Sequence, residues 1–161
     1  MRRRKINGQR QADPFSHEAL HHTGDDVFGG DILDCMAGRE SAYEPTTNNG
    51  LGFRGMFQFG EAAWKDAFQG SSNPPAYLPN VFDPKTSALA AASYLNVLLV
   101  RIVGKDNYAH RNYADADKIE AIRRYNGSSI SAIYAQQVWD CAQMLGGGDI
   151  DGAMAAIGKR P

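Results

Sequence analysis

The run from Asp83 to Gly104, DPKTSALAAASYLNVLLVRIVG, decides the fold class. Asp83 offers a capping side chain, Pro84 stands at the first helical position, and Gly104 follows the last apolar residue, so both ends of a helix are marked. Between them Ala88, Leu89, Ala91, Ala92, Tyr94, Leu95, Leu98, Leu99 and Ile102 fall on nearly every side of a 3.6-residue period. A helix that is apolar all round is the buried centre of an α domain. The greasy stretch from Ala88 to Val103 carries Ser93, Asn96 and Arg101 and reads as too short and too polar for a membrane span.

Outward from this element the signals remain helical. A first helix is expected from about Asp31 to Tyr43, with Gly29-Gly30 as entry, Asp31 as cap and Pro45 as stop. Residues 45–59 are rich in turn formers and predict a loop with a short hairpin. A second helix is expected over Gly60 to Phe68, with Trp64 and Phe68 one turn apart. A later helix covers Asp115 to Tyr125 and is closed by Asn126-Gly127. The last long one starts at a Ser129 cap and runs to Leu145, with Ile130, Ile133, Tyr134, Val138, Cys141 and Leu145 as its buried stripe. A short helix over Ile150 to Ile157 follows. No repeat and no parallel-sheet alternation is visible, so the fold is mainly α, α+β at most.

The chain of 161 residues divides into a flexible polar arm, 1–24, and a single domain, 25–161. Apolar residues make up 43% and charged residues 22%, with a formal net charge of −1. That balance speaks against nucleic acid or a membrane surface as partner and fits a monomer. Arg2 to Lys5 are basic, but Ile6-Asn7-Gly8-Gln9-Arg10 is not apolar, so no standard export peptide is read. His17 and His21, with His22, Asp25 and Asp26, have ligand-like spacing, yet surface histidines are the expectation; no metal or other cofactor is called for. Cys35 and Cys141 fit either a disulfide or two buried thiols, and a bridge needs their Cα atoms within about 4.4–6.8 Å.

Glu40 continues the apolar stripe of Ile32 and Met36 at i, i+4 and i+8, which places its carboxyl at the end of a core-facing helix. Desolvation there raises a carboxyl's pKa, and an acid kept protonated near neutral pH can protonate a glycosidic oxygen. Spacing alone favours a solvent-facing Glu40 beside Arg39. The context changes the balance. Glu40-Ser41 is followed by a turn-rich loop, then Gly55-Met56-Phe57-Gln58-Phe59, then Arg124-Tyr125-Asn126-Gly127, then Tyr134 and Val138.

These motifs, in this order, resemble the lysozyme-like superfamily of goose-type lysozymes and lytic transglycosylases, over about residues 31–145. The resemblance implies a lysozyme-like fold and cleavage of peptidoglycan glycan strands at the β-1,4 bond after N-acetylmuramic acid, as muramidase or lytic transglycosylase. It implies Glu40 as catalytic acid, Ser41 as its hydrogen-bonding neighbour, Gln58 in the sugar groove, and Tyr125 and Asn126 facing Glu40. Met56, Phe57 and Phe59 would supply apolar walls or belong to the core, and Tyr134 would supply packing. Phe57, Arg124 and the Gly50–Arg54 approach depart from the family pattern and leave open which linkage is cut. Glu61, three residues after Gln58, is the first candidate for a second carboxylate. The alternatives are an N-acetylglucosaminidase of related fold and a glycan-binding module without activity. Two settings fit: a phage endolysin, or an antibacterial effector of a secretion apparatus such as type VI. The effector, slightly favoured, implies a cognate immunity protein. Either acts in the periplasm or on the wall.

Overall fold

The computed structural model describes residues 27–158 and, before them, the backbone of two paired strands, β1 (Lys5–Ile6) and β2 (Gln9–Arg10). These run antiparallel, with Lys5 opposite Arg10 and Ile6 opposite Gln9. The rest of the expected arm, with His17, His21 and His22, and Asp25 and Asp26 beyond it, lies outside the described residues. Among the described residues no cluster of His, Cys, Asp or Glu is placed to hold a metal ion.

Helices dominate: α1 (Gly30–Ser41), α2 (Glu61–Ala67), α3 (Tyr77–Asn80), α4 (Pro84–Val103), α5 (Lys105–Ala109), α6 (Asp115–Asn126), α7 (Ser131–Gly146) and α8 (Ile150–Ala156). The short α3 and α5 were not legible in the sequence. α4 is the expected central helix. Asp83 caps it by accepting from the Thr86 N–H (2.9 Å) and hydroxyl (2.6 Å). Ala88, Ala90, Ala91, Leu95 and Leu99 are fully buried, and the small alanines let α1, α2 and α6 approach closely. With 20 residues and a mean hydropathy of 1.5, α4 is long and apolar enough to cross a bilayer, contrary to the expectation from its polar residues. Its fully buried residues make it the core helix of this fold instead.

α1 begins one residue earlier than expected. Asp31 lies inside its first turn and does not cap it; the N-cap position is Gly29. Its stop also differs. Pro45 is not reached, because Ala42 (φ 55) and Tyr43 (φ 64) both take the left-handed conformation. Their N–H groups bond back to Gly38 (3.0 Å) and Ala37 (3.3 Å), which closes the helix at Ser41. Gly38 makes this reversal possible: a Cβ there would sit 2.7 Å from the Tyr43 hydroxyl. Tyr43 donates onward to the Met154 sulfur in α8 (3.8 Å).

Between α1 and α2 the expected hairpin is reduced to isolated pairings. Arg54 bridges antiparallel to Asn48 on one side and to Phe59 on the other. Gly55 is indispensable there, since its φ is 80 and a Cβ would lie 2.1 Å from the Val81 carbonyl oxygen.

α7 runs back along α1 and α6. The N-terminal ends of α1 and α6 meet the C-terminal end of α7, and their C-terminal ends meet its N-terminal end. Midway, Cys35 and Cys141 join α1 to α7 by a disulfide, Cα atoms 6.0 Å apart. The buried stripe of α7 comprises Tyr134, Ala135, Val138, Cys141 and Ala142. Ile130 and Ile133 do not belong to it; they are 46% and 61% exposed. Ser129 does not cap the helix either, which starts at Ser131 after Ile130.

Candidate active site

At the end where α1 and α6 finish and α7 begins, Tyr134 of α7 and Tyr125 of α6 lie within electrostatic reach of Glu40. Its residue surface is partly open to solvent, but burial of the carboxyl lifts its pKa from 4.5 to about 7. The opposing influences are smaller: the Tyr134 hydroxyl and the Arg39 charge both favour the ionised form. Arg39 is itself held, donating from Nε to the Gln137 amide oxygen (3.1 Å), with its guanidinium 6.0 Å from the Tyr134 ring centre. Among the described residues, the side chains that shift Glu40 are Tyr134 and Arg39.

Tyr134, expected only to pack, is the group whose role the sequence concealed. It is almost wholly buried, and its hydroxyl has no hydrogen bond of normal geometry in this structure. Its polar neighbour is the Glu40 carboxyl, which pushes the Tyr134 phenol well above its ordinary pKa together with burial, the larger cause. A buried phenol kept neutral beside a carboxyl is a donor that favours the carboxylate. The signal available in the sequence was the i, i+4 register of Tyr134 with Val138 on the stripe; that the hydroxyl end meets Glu40 is a tertiary fact.

Tyr125 ends α6 and is likewise desolvated and within electrostatic reach of Glu40. Its hydroxyl donates to the Phe57 carbonyl (2.8 Å), so it pins the loop that carries Gln58. Tyr77 pins the same loop from the other side, donating to the Phe59 carbonyl (2.6 Å). Gln58 itself sits at φ 53, in left-handed backbone that a non-glycine residue seldom adopts. Its side-chain N–H donates to the Gly55 carbonyl (3.0 Å). Left-handed backbone just after Glu40, at Ala42–Tyr43, and again at Gln58 is held by the structure around each segment.

The remaining expected residues are placed differently. Met56 (2% exposed) and Phe57 (0%) are core, so neither presents an apolar wall to a sugar. Gly55 packs on Val81 in left-handed backbone, and the turn that follows directs both side chains into the core cluster. Ser41 is buried and its hydroxyl donates to the Ala37 carbonyl (3.0 Å), closing α1 and not facing a cleft. The Asn126 side-chain oxygen accepts from the Ser128 N–H (3.1 Å) and hydroxyl, which shapes the turn into α7; its amide N–H groups remain available. Glu61 is exposed at the first turn of α2.

A desolvated acid beside a neutral phenol is a pair suited to giving and retaking one proton. Residues 31–135 match the transglycosylase SLT domain family. No curated protein and no solved structure matches the chain.

Proposed function

The chain belongs to the transglycosylase SLT domain family, and from that premise we propose that Glu40 is the acid, and then the base, with which it cleaves peptidoglycan. Members of this family are lytic transglycosylases that act on the glycan of the cell wall. The observation that carries the role of Glu40 is its desolvated carboxyl, titrating at about 7.

In the reading we propose, protonated Glu40 donates to the oxygen linking N-acetylmuramic acid to the next sugar. The bond from the muramic C1 to that oxygen breaks as positive charge develops at C1, and the N-acetyl group assists. The muramic 6-hydroxyl then attacks C1 while Glu40, now a carboxylate, takes its proton. A 1,6-anhydro end is left, and Glu40 is protonated again. A glycosidase that lacks this internal nucleophile normally needs two carboxyls about 5–9.5 Å apart; a Glu40 shifted by Tyr134 and Arg39, with no described carboxylate acting on it, supports the intramolecular route over hydrolysis assisted by Glu61. Gln58 and the Asn126 amide are the groups we assign to the sugar's N-acetyl and hydroxyl functions. The Cys35–Cys141 bridge suits an oxidising compartment, which supports work in the envelope. Within that reading the chain serves as an antibacterial effector countered by an immunity protein over the cleft.

Loss of turbidity of purified sacculi tests the assignment. Glu40→Gln should reduce the rate by about 10²–10⁴, with an unchanged circular dichroism spectrum. A folded variant that keeps a substantial share of wild-type activity would remove Glu40 from the mechanism.

A further inference from the structure

The opposite end of the α1–α6–α7 layer holds a cavity of about 410 Å³ that the cleavage reaction does not use. It lies beyond the first turn of α1, about 14 Å from Glu40 along the helix at 1.5 Å per residue. Asp31 of α1, Asp115 and Lys118 of α6, and Trp139 and Gln143 of α7 line it. The disulfide between Cys35 and Cys141 fixes α1 against α7 between the two ends, so the cavity is held open by a covalent tie and not by a mobile loop.

Its chemistry is mixed in a particular way. Trp139 gives a half-buried aromatic surface, with the Lys118 ammonium 5.8 Å from its ring centre. Lys118 is partly neutralised by Asp115 at 3.8 Å. Among the described residues the Trp139 indole N–H, the Gln143 amide and the Asp31 carboxylate have no hydrogen-bond partner. The first turn of α1 adds N–H groups that no side chain caps. The wall therefore presents acceptors, donors and a flat apolar plate together, with opposite charges close to balance. An anion would meet Asp31 and Asp115, and a cation would meet Lys118 and the positive end of α1. A neutral polyhydroxy ring satisfies every group: its hydroxyls both give and accept, and its C–H face lies on an indole. The volume is in the range of small-ligand sites and holds one or two sugar rings.

We propose that this cavity is a second site for a neutral N-acetylhexosamine glycan, holding a strand while the Glu40 end cuts. The proposal rests on the glycan-cleaving reading above.

Its test uses the full chain with Glu40→Gln, so that nothing is cleaved, titrated with tri-N-acetylchitotriose and followed by ¹H–¹⁵N NMR. The two indole N–H signals separate the sites of interest, because Trp64 is buried and donates to the Pro75 carbonyl (2.9 Å). The Trp139 signal should move and saturate with a Kd of millimolar order, and the Trp64 signal should stay. Adding Asp31→Asn and Gln143→Ala should weaken that Kd about tenfold, the weight of one or two lost hydrogen bonds, while shifts at Gln58 and Tyr125 persist unchanged. Shifts at Gln58 and Tyr125 with a still Trp139 signal would overturn the second site and leave the proposed function standing. A titration with no shift anywhere would overturn both.

Discussion

Glu40→Gln should stabilise the folded protein at alkaline pH while abolishing its activity. In the folded state the Glu40 carboxyl titrates at about 7, against 4.5 for its ordinary value. At about 1.4 kcal/mol per pH unit, that gap corresponds to about 3 kcal/mol, and screening at a partly open residue brings the expected effect to about 2 kcal/mol. Below pH 4.5 the carboxyl is neutral in both states, so the wild-type protein bears no penalty there. As pH rises from 4.5 to 7 the unfolded chain releases the proton and the folded chain retains it, so stability falls; above 7 the loss is complete. Glutamine cannot ionise and escapes this loss. Urea or thermal unfolding of both proteins should coincide near pH 4.5 and diverge at about pH 8.5, the variant melting about 4–8 °C higher. A gap independent of pH, or one that widens toward acid, would refute the desolvated carboxyl.

Three further outcomes follow from the same geometry. The pH profile of kcat/KM should fall on its alkaline side near 7, where Glu40 loses its proton, and Tyr134→Phe should move that limb upward, because the Tyr134 hydroxyl favours the carboxylate; an unmoved limb would make Tyr134 a packing residue only. Replacing Cys35 and Cys141 together by alanine opens a bridge across 106 residues and should cost about 2–5 kcal/mol by chemical denaturation, with reduced wild-type protein melting alike. Gly55→Ala places a methyl against the Val81 carbonyl and should disorder the Gln58 loop, seen as lost activity with most helical circular dichroism retained.

How far the sequence could be read depended on whether a feature is local. The Asp83 cap, Pro84 and Gly104 act within a turn of α4, and its apolar circumference needs no partner to be recognised. Glu40 was legible as the continuation of the Ile32–Met36 stripe, and the order of the Glu-Ser, Gln58 and Tyr125-Asn126 segments pointed to one site. Features set by three-dimensional coverage were not legible. Ile130 and Ile133 keep the helical period of Tyr134 yet stay exposed, because the period marks a direction and not whether anything lies there. Met56 and Phe57 read as cleft walls but are core, since a turn beginning at a left-handed Gly55 decides which way they face. Pro45 marks a stop for α1 in the sequence, whereas two left-handed residues end it earlier, a choice made by the fit of Tyr43 over Gly38.

Mass spectrometry of purified peptidoglycan digested by the wild-type protein tests the central claim most directly. Cleavage by Glu40 with the substrate's own hydroxyl as nucleophile yields muramic ends that are one water lighter than the hydrolysed form, and none with Glu40→Gln. Reducing muramic ends would contradict the single-acid route and point to a second group positioning water. Reducing N-acetylglucosamine ends would contradict the linkage itself.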